Sequence, residues 1–220
     1  MLAAMAQHRL AINYIAYPNN PTATLWDAAV VQRILDAVAA VGGIAVMDEA
    51  YQPFASRTWL DAMRAEPARN SHVLLMRTLS KFGLAGVRLG YLIGPAALVG
   101  EIDKVRPPYN VSVLNCEAAL FALEHADVFA AQAAELRVQR TRLIAALRAM
   151  PGVEHVWDSE ANMVLVRVPD AARAFAGMRE RKVLVKNVST MHPLLARCLR
   201  LTVGSDSENA RMLDALQASI

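Results

Sequence analysis

The chain has 220 residues, 55% of them apolar and 20% charged, a balance that suits a folded globular protein and excludes a disordered one. That length supports one large domain or two small ones around a substantial core. The net charge of +3 is scattered, with no Lys/Arg block and no basic stripe interleaved with aromatics, which argues against nucleic acid as the main partner.

Cys116 and Cys198 are far apart and in no C-x-x-C pair, and none of the five histidines stands at metal-ligand spacing. No metal site is expected, and the two thiols read as small apolar residues in a reducing compartment. Apolar stretches are broken by Asp, Arg or Gly before reaching membrane-spanning length. The opening MLAAMAQHRL lacks a basic segment and a full apolar segment of the secretory kind. The expectation is a cytoplasmic protein without a membrane partner.

In chain order, AINYIAY (11–17) reads as a strand and is followed by the loop PNNPTAT. A helix is expected from about Leu25 to Val41, stopped by Gly42-Gly43. GIAVMDEAY begins as a buried strand and ends abruptly in acid; HVLLM (72–76) and LGYLIG (89–94) are further strands, and Gly94-Pro95 turns into a helix near 96–105. Strands alternating with helices indicate an α/β layer with a largely parallel sheet. Apolar runs without alternation fit a sheet covered on both faces.

RPPYN (106–110) cannot continue a helix and is the boundary candidate, dividing the chain into 1–106 and 107–220. Beyond it a long helical stretch is expected from Val113 to Met150. Strands GVEHVW and NMVLVRV, a helix over 171–181, strands VLV and CLRLTV, and a helix over 207–218 follow. That is the pattern of a smaller α+β domain.

Three N-terminal strands lead into polar residues: Asn19-Asn20-Pro21, then Asp48-Glu49-Ala50-Tyr51, then Arg77-Thr78-Leu79-Ser80-Lys81. In an open parallel sheet, ligands bind beyond the carboxyl ends of the strands. Each group alone has an ordinary reading: Asn-Asn-Pro as a turn, an Asp after a strand as a cap, a lysine in a glycine-containing loop as solvated. Their joint placement at one sheet edge favours a site. Gly83 and Gly86 would let the backbone take positive φ or pass close to a ligand, or simply make a tight turn.

The ordered motifs YPNNPTAT, VMDEAYQPF, RTLSKFGLAGVRLGY and CLRLTVGSDSEN resemble those of fold-type I pyridoxal-phosphate aminotransferases, and within them the histidinol-phosphate type. The similarity runs over nearly the whole chain. It implies a partial PLP-dependent transferase (aspartate-aminotransferase-like) fold: the C-terminal part of the large, mostly parallel-sheet domain, followed by the small α+β domain.

The resemblance also implies roles. Lys81 would form the Schiff base with pyridoxal 5'-phosphate and shuttle the proton during turnover. Asp48 would pair with the pyridinium nitrogen. Tyr51 and Asn20 would hydrogen-bond the ring's phenolic oxygen, and Thr78, Ser80 and Arg88 would hold the phosphate. Arg200, flanked by Leu199, Leu201 and Val203, reads by alternation as solvent-facing; the resemblance makes it an anion clamp for the substrate, with Lys186 and Asn162 as further substrate-binding candidates. Met47, Met76 and Met163 read as core filler.

The implied reaction passes the amino group of histidinol phosphate to 2-oxoglutarate, a step of histidine biosynthesis, in a homodimer. Aromatic aminotransfer and decarboxylation of the threonine-phosphate type share the same lysine, aspartate and arginine. Two local departures stand out: Ala23 replaces the glycine of Asn-Pro-Thr-Gly, and the Lys81–Arg88 segment is one residue shorter than in many relatives. The long N-terminal region of the family has almost no counterpart before Tyr17, which leads to the expectation of a fragment, a truncated product or a mis-assigned start. A non-catalytic remnant that binds a partner chain is the competing reading.

Overall fold

A computed structural model describes residues 2–220. The first elements are helix α1 (Leu2–His8), strand β1 (Ile12–Ala16), helix α2 (Ala28–Ala40) and strand β2 (Ile44–Asp48). Helix α3 (Trp59–Ala65), strands β3 (Val73–Thr78) and β4 (Gly90–Ile93), and helices α4 (Ala96–Lys104) and α5 (Val113–Glu124) come next. After the 24-residue helix α6 (Ala126–Ala149) come strands β5 (His155–Val156) and β6 (Met163–Arg167), helix α7 (Ala171–Glu180), strands β7 (Lys186–Asn187) and β8 (Cys198–Thr202), and helix α8 (Asp206–Gln217).

The chain forms two compact units: residues up to Pro18 with Leu25–Ala130, and Asn19–Thr24 with Ala131–Ile220. This division differs from the one expected at 106/107. Helix α5 stays with the first unit, where Asn115 Nδ2 donates to the Val87 carbonyl at 2.9 Å, and the Asn-Asn-Pro loop joins the second.

In the first unit the sheet runs β1-β2-β3-β4. The first three strands are parallel, and β4 is antiparallel to β3, so the largely parallel sheet is found with one reversed edge. Helix α2 buries Val31, Ile34, Leu35 and Val38, the i, i+3, i+4, i+7 stripe of an amphipathic helix. This stripe meets Ala45 and Met47 of β2 and Val73 and Leu75 of β3. The alternate residues Val46 and Leu74 are also buried but face the other way. Asp27 caps α2 by accepting from the Val30 amide, and Gly42, at φ 71°, follows its end in the left-handed conformation that glycine adopts without a Cβ penalty.

The second unit has a sheet in the order β5-β6-β8-β7, antiparallel throughout. Val164, Val166, Leu199 and Leu201 pack with Leu143 and Leu147 of α6, Ala174 and Met178 of α7, and Leu216 of α8.

Several expectations shift. The helix expected from Val113 to Met150 is two helices, since His125 leaves helical geometry at φ −108°, ψ 32°; no Gly or Pro marks that break. The strand expected at 183–185 is displaced to Lys186–Asn187: the Val183 amide instead bonds the Met178 carbonyl at the end of α7, and Val183 and Val185 pack on the core. Helix α3 carries no strong periodicity and was not anticipated. Met47 and Met163 are core residues, but Met76 is exposed, because the end of β3 borders an open cavity. Cys198 is buried, whereas Cys116 is exposed.

Candidate active site

Strand parity sorts the site of the first unit. Asp48 follows Val46 on one face of β2, while Glu49 follows Met47 onto the face that carries α2 and α3. In β3, Thr78 shares the face of Leu74 and Met76, and Arg77 that of Leu75. Asp48 and Thr78 border a cavity of about 700 Å³, whose lining includes Met76, Gly90, Leu92 and Val99 and also Arg77 and Tyr91.

Asp48 is held at the level of the backbone from both sides. Its carbonyl accepts from the Tyr17 amide at 2.8 Å, and the next amide, of Glu49, donates to the Met76 carbonyl at 2.9 Å. Its Oδ1 accepts from the Ala50 amide at 3.0 Å, so the carboxylate is oriented before any ligand arrives.

Lys81 ends a single 3₁₀ turn, Leu79–Lys81, capped by Thr78, whose Oγ1 accepts from the Ser80 amide at 3.0 Å. Leu79 is the buried member of that turn. The Lys81 Nζ lies 5.4 Å from the centre of the Tyr51 ring, within cation–π range. Arg88 takes a left-handed conformation at φ 54° and bends back, donating from Nη1 to Ser80 Oγ at 3.1 Å and to the Ala85 carbonyl at 3.3 Å. A hydroxyl, a guanidinium and a capped turn thus meet where an anion could be held. Asp48 and Thr78 line the cavity; Lys81, Tyr51, Ser80 and Arg88 are not among its lining residues.

Gly83 has φ 115°, as anticipated for a turn, but the close approach it permits is to Phe129: a Cβ there would stand 2.7 Å from that ring. Gly86 is not in a positive-φ conformation, and a Cβ there would meet no other atom of the chain within 4 Å.

In the second unit, Asn20 and Arg200 are together, Arg200 Nη1 donating to Asn20 Oδ1 at 2.7 Å. Arg200 is not simply solvent-facing: its Nε is buried without a hydrogen-bond partner. Lys186 stands directly opposite Arg200 in the β7–β8 ladder. Two like charges facing across an antiparallel pair repel, and an anion between them would relieve both. Asn162 contributes its carbonyl to the Val203 amide at 2.9 Å, at the β6 end of the same sheet. Ala23, in the loop with Asn20, is buried with φ 60°, a conformation that costs a non-glycine residue about 1 kcal/mol.

Sequence reasoning passed over Glu49, Arg77 and Thr58. Glu49 has no exposed side-chain surface and pairs with Arg77 at 2.8 Å. Burial works to lower the Arg77 pKa, but hydrogen bonds to Glu49 and Tyr91 outweigh it and hold the guanidinium above its ordinary value. The available signal was parity: an acid one residue beyond Asp48, continuing the buried face of β2.

The chain belongs to the aminotransferase class I and II family, whose model matches residues 2–216. It is 85% identical over all 220 residues to a histidinol-phosphate aminotransferase of Paracidovorax citrulli, and 66% identical to that of Polaromonas naphthalenivorans. The chain spans about 60% of the length of these curated relatives. Among solved structures it resembles the Sinorhizobium meliloti histidinol-phosphate aminotransferase in complex with pyridoxal-5'-phosphate, at 27% identity and a TM-score of 0.80, over 99% of this chain and 59% of that one. The Clostridium acetobutylicum enzyme shares the fold at a TM-score of 0.86 and 20% identity, over 99% of this chain and 66% of that one.

Proposed function

We propose that this chain carries the lysine-bearing part of a pyridoxal 5'-phosphate-dependent aminotransferase that passes the amino group of histidinol phosphate to 2-oxoglutarate. The observation that carries this reading is the first-unit constellation: an oriented Asp48, Lys81 beside Tyr51, and Arg88 folded onto Ser80. The 85% identity to a histidinol-phosphate aminotransferase supports the substrate.

The donor set fits the cofactor. A carboxylate fixed at a strand end suits a pyridinium nitrogen, a primary amine suits an aldehyde, and hydroxyls with a guanidinium suit a phosphate dianion. When bound, pyridoxal phosphate supplies an electron sink for charge developing at the substrate α-carbon. Asp48 would hold the proton on the ring nitrogen, Tyr51 would donate to the ring oxygen, and Thr78, Ser80 and Arg88 would take the phosphate. The Lys81 amine would move the proton at the substrate α-carbon. In the second unit, Asn20 is positioned by Arg200, and Arg200 with Lys186 would bind the anionic end of the substrate, Asn162 standing at the same sheet.

The same reading places the protein in the cytoplasm as a homodimer. The exposed apolar side chains Val113, Leu114, Leu120, Phe121 and Leu123 of α5 support a protein partner for that helix. Among the described residues, no helix is long and apolar enough to cross a membrane.

Borohydride reduction after incubation with pyridoxal phosphate, followed by peptide mass spectrometry, tests the reading. The expected product is one pyridoxyl group on Lys81, absent in Lys81→Ala. Modification spread over surface lysines, equal in both proteins, would sink it. Turnover of histidinol phosphate with 2-oxoglutarate then tests the substrate assignment.

A further inference from the structure

We propose that Glu49 and Arg77 are positioning residues: an ion pair, its carboxylate fully buried behind the site, that locks the ends of β2 and β3 and so sets Asp48 against the Thr78–Lys81 turn. This rests on the pyridoxal-phosphate reading of that site.

Each partner is the chain neighbour of a site residue, Glu49 of Asp48 and Arg77 of Thr78; strand alternation turns the Glu49 carboxylate to the face away from the cavity, while Arg77 reaches it from a strand that also borders the cavity. Glu49 is saturated. Its Oε1 accepts from Thr58 Oγ1 and the Trp59 amide, and its Oε2 from Arg77 Nε at 3.1 Å, Arg77 Nη2 at 2.8 Å and Thr58 Oγ1 at 2.8 Å. The Thr58 hydroxyl is used to its full valence: it donates to Glu49 and accepts from the Leu60 amide at 3.1 Å and Arg77 Nη2 at 2.8 Å. Arg77 faces Tyr91 of β4 across the ladder. One network therefore ties the end of β2, the start of α3 and β3.

A fully buried carboxylate is a poor way to gain stability alone, because its desolvation cancels much of the attraction. What the pair supplies is geometry. Two parallel strands joined only by ladder bonds can fray at their ends, and here both ends carry site residues. Arg77 Nε and Nη2 converge on Oε2 while Thr58 and the Trp59 amide hold Oε1; with both carboxylate oxygens pinned, Asp48 and the capped turn keep their spacing.

Glu49→Gln and the double variant Glu49→Gln/Arg77→Leu separate this role from ordinary stability, since replacing both partners of a buried pair can be nearly neutral for folding. Amide hydrogen exchange is followed by mass spectrometry in peptides spanning 48–51 and 78–81, with α2 of the same unit as internal control. The Kd for pyridoxal phosphate is read by absorbance titration. In the double variant we expect α2 protection as in the wild type, exchange at the two strand ends faster by about tenfold, and a Kd weakened by about tenfold. Where the double variant loses α2 protection, Glu49→Gln decides by the same two readouts. Wild-type protection at both strand ends overturns the proposal. So does a Kd that stays unchanged once those ends are loosened. A wild-type chain that takes up no cofactor defeats the functional reading instead, and the exchange result then decides the positioning role.

Discussion

Lys81 illustrates how little a residue's own identity fixes its chemistry. An amine on a loop is ordinary; here Thr78 caps the turn that carries it, Leu79 anchors that turn in the core, and Tyr51 sits against its charge. A different residue-scale device closes the second unit. Ser205 and Glu208 form a reciprocal capping box at the start of α8. The Ser205 backbone amide, then its hydroxyl, holds the Glu208 carboxyl below its ordinary pKa. A depressed folded-state pKa gives stability that is present above the unfolded value and is lost as pH falls through the folded one. Glu208→Gln should therefore lower the thermal midpoint at neutral pH, and the gap from wild type should close as pH falls below about 4. A gap that persists unchanged at acid pH would show that the charge of Glu208 contributes nothing.

Among elements, β4 shows how an edge strand is fixed. Gly90 faces Thr78 in the ladder, and a Cβ on it would come within 2.8 Å of the Arg77 carbonyl oxygen. Gly90→Ala should cost about 1–3 kcal/mol, measured as a lower urea midpoint, because the backbone of β3 must shift to admit the methyl group. Helix α2 makes the complementary point: its stripe was legible because period-3.6 spacing survives in sequence. The division between α5 and α6 was not, since His125 leaves helical geometry without a breaker residue. The end of α7 was likewise hidden, because whether Val183 joins a strand or closes a helix depends on which carbonyl its amide meets.

Across the whole molecule the two units keep separate apolar clusters, one around Leu35 and Met47, the other around Leu147 and Leu199. Leu165 lies in a third cluster, with Val188, Leu195 and Cys198, on the opposite face of the second sheet. Leu35→Ala and Leu165→Ala should each destabilise by about 2–5 kcal/mol. As they share no partners, the double variant should equal the sum to within about 0.5 kcal/mol in urea denaturation; a larger discrepancy would mean that the cores fold as one.

The sequence alone determined the α/β order of the first unit, the α+β order of the second, and the chemical groups that end three strands, because apolar periodicity and strand-terminal polarity are local properties. It also carried the family, through four motifs in order. Only the tertiary structure decided that Asn20 bonds Arg200, that Arg88 turns back onto Ser80, and that Glu49 and Arg77 meet behind the site. Those pairings join residues 180, 8 and 28 positions apart, and no local spacing encodes them. They follow from strand register and from the burial of charges that must find partners once water is excluded.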